Sequence, residues 1–564
     1  MGEHSTDSFE MIVDQNIPIP MGDGAVLRAN AYRPTGDDRF PVIMAQGIYG
    51  KDAHFGDAYE AQWAALKKLQ PDIDGNGSSG RYLRWENVDP ERWVPHGYVV
   101  ITIDGRGSGQ SPGYLDPFSP RETQDYYDAI EWAAEQSWSN GKVGLLGISY
   151  FAIKQWQVAA LRPPHLAAIV PWEGASDIYR EWSHQGGIFG DGFPTAWLPR
   201  QVLVNQHGNA ETPHRDRETG EPTTGAALPE AILEGNRATH HEDLLHHPLD
   251  DAWYGTRTPD LERIDVPLFS AGNWGGLGLH LRGNIEGFLR AGSPNKWLSV
   301  HIGTHFESFY APEYVALQRK FLDHFLKGLD NSWENEPKVR LAIRRADGAE
   351  TRFENEWPLA RTEWTKFYLS GDEEGLSTEQ PAVVGEVSYT ADGSGFHFTT
   401  KPFEHEIEFT GPVMARLWIS SDTPDMDIFA TLRAFDPDGA EIIFVGASEP
   451  VPVSRGWLRV SHRRLDPDRS NFFRPYHSHT VSDKLNPGEV YEVELEIWPT
   501  SIVFSKGGRL TLTLQGRDFE FPGMPGRMLH THPLDRPAAE FGGVDTIITG
   551  GVHASYLLMP HIPR

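Results

Sequence analysis

Ser149 is the residue of this chain whose neighbours best equip it for covalent chemistry. Gly147-Ile148-Ser149-Tyr150 follows directly on the apolar run Lys142-Val143-Gly144-Leu145-Leu146, and the ten residues from Phe151 to Ala160 read as a helix. A buried strand turning sharply into a helix with serine at the apex is a nucleophile elbow. The turn lifts the hydroxyl clear of the sheet, and the backbone N–H of Tyr150 at the helix N-terminus faces the place where an oxyanion forms. The implied chemistry is acyl transfer through a covalent serine intermediate. The G-x-S-x-G pattern is incomplete, with Phe151 in its last position, and the same residues also fit a serine that merely caps a helix after a strand.

The rest of the composition narrows the class. At 564 residues the chain is long enough for two to four domains with full cores. A net charge of −29 argues against a surface that tracks phosphates, so no nucleic-acid partner is expected. The absence of cysteine excludes disulfides, thiolate metal sites and cysteine nucleophiles together. No apolar run is long enough to cross a bilayer, and Met1 to Asp7 lacks the basic and apolar regions of a secretory signal, so no membrane association and a cytoplasmic location are expected.

The elements that must position Ser149 have the rhythm of an α/β fold. Phe40 to Ala45 and Tyr98 to Ile103 are continuous apolar runs of the kind buried in parallel sheets. Between Gln124 and Glu135, Tyr127, Ile130, Trp132 and Ala133 recur at helical spacing. From Glu173 to Gly255 strand signals give way to Trp, His, Gly and Pro, which suggests a cap inserted over the C-terminal edge of the sheet, where ligands bind in such folds. Strand signals return from Val266 to Ser270 and from Trp297 to Val300, followed by a helix near Tyr314 to Leu326. Beyond Arg345, Val493, Leu495 and Ile497 alternate with glutamates, and Leu510, Leu512 and Leu514 with threonines, the period of an antiparallel sandwich or jelly roll.

Several blocks, taken in order, resemble the cocaine-esterase-like acyl hydrolases, a family that includes α-amino acid ester hydrolases and is related to X-Pro dipeptidyl peptidases. They are Tyr49-Gly50-Lys51, the loop Asp104-Gly105-Arg106-Gly107-Ser108-Gly109-Gln110-Ser111, the approach to the elbow from Glu131 to Gly144, His247-Pro248 with Asp250 and Trp253, and Phe321 to Gly328. The resemblance implies an α/β-hydrolase core (1–172 and 256–345), an inserted helical cap (173–255) and a C-terminal β jelly-roll domain (346–564). It also implies His305, in Gly303-Thr304-His305, as the base for Ser149, with His301 as runner-up, and the Tyr49 phenol as the second oxyanion donor beside Tyr150.

The third triad member departs from the family. The acid is expected after the strand at Val266 to Ser270, but Gly275 stands in its place, in Gly272-Asn273-Trp274-Gly275. A base without an acid to fix its tautomer loses most of its advantage. In this topology a carboxylate after the neighbouring strand Leu166 to Pro171 also reaches the base, which points to Glu173, with Asp177 second and Asn273 as an uncharged alternative. Trp172, Trp182 and Phe189, with Phe193 and Trp197, are the expected aromatic substrate contacts.

The expectation is a cofactor-free and metal-free serine esterase acting on a small-molecule ester. An X-Pro dipeptidyl peptidase and an acyltransferase are the enzymatic alternatives, and a binding protein that lost its acid at Gly275 is the alternative of another class. The loop Gly105 to Gly109 fails the dinucleotide fingerprint, and Arg106 there reads as an ion-pairing anchor. The spacing of His240, His241, His246 and His247 fits no standard metal site. A homodimer is compatible with the sequence but nothing in the pattern specifies it.

Overall fold

Two large sheets carry the chain in the computed structural model, which describes residues 10–371 and 375–563. The segment from Met1 to Asp7, read above for targeting, lies outside the described residues. In chain order the strands of the first half are β1 (Met11–Pro20), β2 (Val26–Pro34), β3 (Phe40–Gly47), β4 (Val99–Asp104), β5 (Ser139–Ile148) and β6 (Leu166–Trp172). They continue with a short cap hairpin, β7 (His184–Gln185) and β8 (Ile188–Phe189), and then β9 (Leu268–Asn273), β10 (Lys296–His301), β11 (Val339–Arg345) and β12 (Gly348–Glu354). The first sheet has ten strands in the order β1-β2-β4-β3-β5-β6-β9-β10-β11-β12. Neighbours from β4 to β11 are parallel, and the pairs at both edges are antiparallel.

Every residue of β3 and of β4 is buried, which is why both read as unbroken apolar runs rather than as alternation. Helix α1 (Pro120–Ala134) starts on Ser119, whose hydroxyl accepts the Glu122 N–H, with Pro120 in the first turn. It buries Tyr126, Ala129, Ile130 and Ala133, while Tyr127 and Trp132 are half-buried, so the stripe lies slightly off the one read from spacing. Helix α2 (Tyr150–Ala159) leaves the elbow and is buried along its whole length, since core, cap and sheet enclose it. Helix α3 (Leu281–Arg290) packs Leu281 and Ile285 between the first sheet and the second domain. Helix α4 (Pro312–Lys327) covers the opposite face of the sheet with Phe321 and Leu322 and ends on Gly328 in a left-handed conformation.

Arg106 anchors its loop as expected, its guanidinium meeting Asp125 at 2.7 Å and Asp23 at 2.9 Å. The strand β12 lies beyond Arg345, yet it pairs with β11 through a hairpin and extends the first sheet. The change of character after Arg345 is therefore an edge of the first sheet before it is the start of a new one.

The second sheet has twelve strands, paired antiparallel, and forms a jelly-roll-type domain around Leu417, Leu432, Leu495 and Leu512. In the first half of Tyr491–Phe504 the alternation holds, with Val493, Leu495 and Ile497 buried and Glu492 exposed, and from Ile497 onward every residue is buried. In Arg509–Gln515 it does not, because Thr511 and Thr513 are buried too. Their hydroxyls are satisfied across the strand by Thr399 and His397, so a polar face is covered without an unpaired group.

The cap is less regular than a helical insertion suggests. Short helices such as Gly192–Trp197, Glu230–Gly235 and His240–His246 are joined by long loops. Hydrogen bonds fasten it to the second domain: Arg180 donates to the carbonyls of His477 and Ser478, and Asp191 accepts the backbone N–H of Thr531.

Candidate active site

Ser149 sits between β5 and α2 with φ 56° and ψ −114°, a conformation L-residues rarely adopt and one that the surroundings hold in place. Its backbone N–H donates to the carbonyls of Trp172 at 2.9 Å and Glu173 at 3.1 Å, which ties the elbow to the end of β6. Close packing explains Gly147, where a Cβ would lie 2.7 Å from that of Phe151. The ring of Phe151, in the position usually given to glycine, fills the space over Gly47, where a Cβ would meet it at 2.4 Å. The small residues that an elbow needs are present, one of them moved to another strand.

The start of α2 is fixed from behind. The Tyr150 phenol donates to the Glu122 carboxylate at 2.8 Å, and the same carboxylate faces the buried Lys154 ammonium at 3.2 Å. Tyr150 therefore has its side chain anchored away from the cavity, and its backbone N–H is the part available at the elbow. Tyr49 is buried above it, ring centroids 5.7 Å apart, and the Tyr49 oxygen accepts the indole N–H of Trp197 at 2.9 Å. That leaves the phenolic proton of Tyr49 to donate elsewhere, and burial, reinforced by the Glu86 carboxylate, keeps it on the oxygen by raising its pKa well above the ordinary tyrosine value.

One histidine meets the serine, and a second stacks behind it. The Ser149 hydroxyl is within hydrogen-bond distance of Nε2 of His280, at 3.1 Å. His305 stacks against His280 with ring centroids 5.3 Å apart. Nδ1 of His305 lies 2.8 Å from Glu173 Oε2, and its Nε2 lies 2.9 Å from Glu86 Oε1. Burial alone would lower the pKa of His305, but the two carboxylates overcome it and push it up to about 10. The pKa of His280 is held well below its ordinary value by burial and by the neighbouring His305. The pair therefore consists of one imidazole kept neutral and one imidazolium held between acids.

Glu173 stands at the end of β6 with φ 46° and is fully buried. Its Oε1 accepts Asn273 Nδ2 at 3.1 Å and faces His301 Nε2 at 3.6 Å, so Asn273 orients the carboxylate rather than a histidine. His301, the runner-up base, is stacked on Trp172 and bonded to Ser308, behind the site. Asp177 caps the following turn and pairs with Arg180 at 2.9 Å, which commits it elsewhere. At Gly275 the second domain has taken the space: a Cβ there would lie 2.6 Å from Gly446 Cα and 2.7 Å from the Val445 carbonyl.

These groups open into a cavity of about 630 Å³ between core, cap and second domain. Ser149, His280, His305, Glu86 and Tyr49 are among its polar lining residues, with Glu449 and Arg527 also on its wall. Trp85, Phe193, Leu277 and Phe306 line the first-domain side, and Phe444, Val445 and Met528 come from the second domain. Of the expected aromatic contacts, only Phe193 lines this cavity. Trp172, Trp182 and Phe189 do not: each is buried in packing of its own, Trp172 against Phe309 and His301, Trp182 against Phe118 and Trp197, and Phe189 against His184 and His532. Their size made the interior, not the cavity, the place where they bury most surface. Sequence reasoning missed His280 and Glu86, which lie in loops without a recognisable motif.

An elbow serine with a histidine nitrogen on its hydroxyl, beside a second histidine held by buried carboxylates, in an α/β-hydrolase sheet is the arrangement of a serine hydrolase. Residues 23–307 match the family model described as X-Pro dipeptidyl-peptidase (S15 family), and residues 331–558 match that of the X-Pro dipeptidyl-peptidase C-terminal non-catalytic domain. The chain belongs to this family. It is 34% identical to a CocE/NonD family hydrolase from Staphylococcus aureus whose structure superposes with a TM-score of 0.84, covering 98% of this chain and 94% of that one. It is 25% identical to cocaine esterase of a Rhodococcus strain, over 98% of this chain and 99% of the relative. An α-amino acid ester hydrolase structure shares the fold at 17% identity, with a TM-score of 0.70 over 100% of this chain and 98% of that one. Among the described residues no helix is long and apolar enough to cross a membrane.

Proposed function

We propose that this enzyme hydrolyses carboxylic esters of small apolar or aromatic acyl compounds through an acyl-enzyme on Ser149. The observation that carries this reading is the elbow Ser149 on the wall of a cavity with aromatic and aliphatic sides, its hydroxyl 3.1 Å from Nε2 of His280, the ring on which His305 stacks. In the proposed cycle, His305 first gives up its Nε2 proton to solvent; Ser149 Oγ then attacks the carbonyl carbon, and its proton passes to the neutral His305, whose imidazolium forms beside Glu173. The carbonyl electron pair collects on oxygen, which the Tyr49 hydroxyl and the Tyr150 N–H stabilise. His305 returns the proton to the departing alcohol, and water then releases the acid by the same route. Cleavage of activated amides is the harder variant of the same steps.

The family model and the cavity also accommodate an X-Pro dipeptidyl peptidase, and an acyltransferase differs only in what intercepts the acyl-enzyme. A panel of p-nitrophenyl esters, assayed beside a dipeptidyl-proline anilide and with an added alcohol acceptor, separates the three. Ester turnover at least about a hundredfold above the anilide in kcat/KM supports the esterase. Preference for the anilide, or product dominated by transfer, overturns it, and no turnover with a folded protein favours the binding-protein alternative. The proposal includes a cytoplasmic location, compatible with a cysteine-free chain, and a homodimer; cell fractionation and light scattering read these directly.

A further inference from the structure

Both ring nitrogens of His305 are engaged by carboxylates, and neither faces a serine partner: Nδ1 is on Glu173 at 2.8 Å and Nε2 on Glu86 at 2.9 Å. The serine hydroxyl is meanwhile bonded to His280. A histidine that serves a nucleophile does so through the nitrogen not held by its acid, and here that nitrogen is occupied.

We propose that Glu86 is a positioning residue that holds Nε2 of His305 off the nucleophile in the resting enzyme, and that reaction requires Nε2 to pass from Glu86 to Ser149 Oγ. The inference rests on the reading of His305 as the base. Glu86 is built for this role. It is 3% exposed, its backbone has φ 61°, and its carbonyl accepts the Ile148 N–H at 3.1 Å, so it is fastened to the strand that ends in the elbow. Among the described residues its one ion pair is with His305, its Oε2 is buried with no hydrogen-bond partner of normal geometry, and the Trp85 indole is the neutral donor that acts on the carboxylate.

The charges around His305 make the hold strong. Glu173 faces it from the end of β6, Glu86 from the loop before Pro90, neutral His280 from the turn before α3, and His301 across Glu173 from the end of β10. The phenols of Tyr49, Tyr59 and Tyr310 face Glu86, and burial keeps them protonated. Both carboxylates favour the imidazolium, which cannot accept the serine proton. For reaction, the Nε2 proton leaves to solvent, the neutral ring turns from Glu86, and Nε2 takes the Ser149 proton as the Oγ–carbon bond forms and the carbonyl electron pair moves to oxygen. Glu86 is unchanged over the cycle.

The test is the pH dependence of kcat/KM for a p-nitrophenyl ester, with spontaneous hydrolysis subtracted, in the wild type, Glu86→Gln, Glu86→Ala and His305→Ala. The wild-type rate should climb through neutral pH towards about 10. Glu86→Gln should bring the plateau down by two or more pH units and raise the rate at pH 7 at least about tenfold, because one of the two charges holding the imidazolium is gone. Glu86→Ala should move the profile the same way, and it is the variant to read if melting shows that Glu86→Gln is misfolded. A rising limb that stays in place in folded Glu86 variants, with His305→Ala inactive, overturns the role of Glu86 alone. An active His305→Ala enzyme removes the base assignment beneath it.

Discussion

The carboxylate of Glu173 meets Nδ1 of His305 at 2.8 Å from the end of β6, one strand over from the loop where Gly275 stands in place of the family's aspartate. The same histidine is served from a neighbouring strand because parallel strands deliver their C-terminal ends to one edge, and a side chain at either end reaches the loop after β10. Replacing Glu173 with Gln should keep the shape of the site and remove the charge. We expect a loss in kcat of about 10³- to 10⁴-fold with KM little changed, read in steady-state ester kinetics beside a melting curve. Activity within threefold of wild type would place the acid elsewhere.

Restoring the family's aspartate should not help. In Gly275→Asp the new Cβ is driven into the backbone of Gly446 and Val445, at 2.6 and 2.7 Å, and the loop of the second domain must move. The expected result is destabilisation of roughly 1–3 kcal/mol, seen as a lower denaturation midpoint. The double variant with Glu173→Gln should be no more active than Glu173→Gln alone, and recovery of activity in it would show that the loop yields and that an acid at position 275 reaches the base.

Tyr49→Phe isolates the second oxyanion donor. The phenol oxygen already accepts the Trp197 N–H, so deletion of the hydroxyl costs that bond and the donor together. We expect kcat to fall about 10²- to 10³-fold with little change in KM. A drop confined to KM would mark Tyr49 as a substrate contact instead.

Much of this site was legible in the sequence, and the reasons differ from residue to residue. Ser149 announced itself because a strand, a turn and a helix must follow one another within a few residues, and local order is what a sequence displays. Glu173 followed from topology once the strand after the elbow was recognised. Glu86 and His280 did not, since each reaches the serine from a loop whose path is set by packing far along the chain. The misplacement of Trp172, Trp182 and Phe189 has a related cause: an aromatic residue near a cap fits a substrate wall and an interior equally well until its direction is known. The buried threonines of Arg509–Gln515 were hidden for the same reason, because period two reports which face is apolar and not whether the polar face is covered.

Acid should weaken the junction of cap and second domain. His462, with its pKa lowered to about 3 by burial and by Arg459, is packed against Gly187 and His479. A histidine with a folded pKa below its unfolded value takes up its proton first in the unfolded chain, so its share of stability falls as pH drops from about 6.5 towards the folded value. Buried carboxylates with raised values, such as Glu181 at about 8, slope the other way, so the comparison must be differential. Between pH 6 and 4 the stability gap between wild type and His462→Gln should narrow by about 1.4 kcal/mol per pH unit. A gap constant with pH would show that His462 is charged, or solvated, in the folded protein.

The central claim is that Ser149 is a nucleophile activated within this cluster, and covalent labelling with a fluorophosphonate tests it most directly. Intact mass and peptide mapping should show one equivalent bound at Ser149 in the wild type, none in Ser149→Ala, and labelling slowed by orders of magnitude in Glu173→Gln and His305→Ala. Wild-type protein that is folded yet unlabelled, or label carried by any other residue, would contradict it.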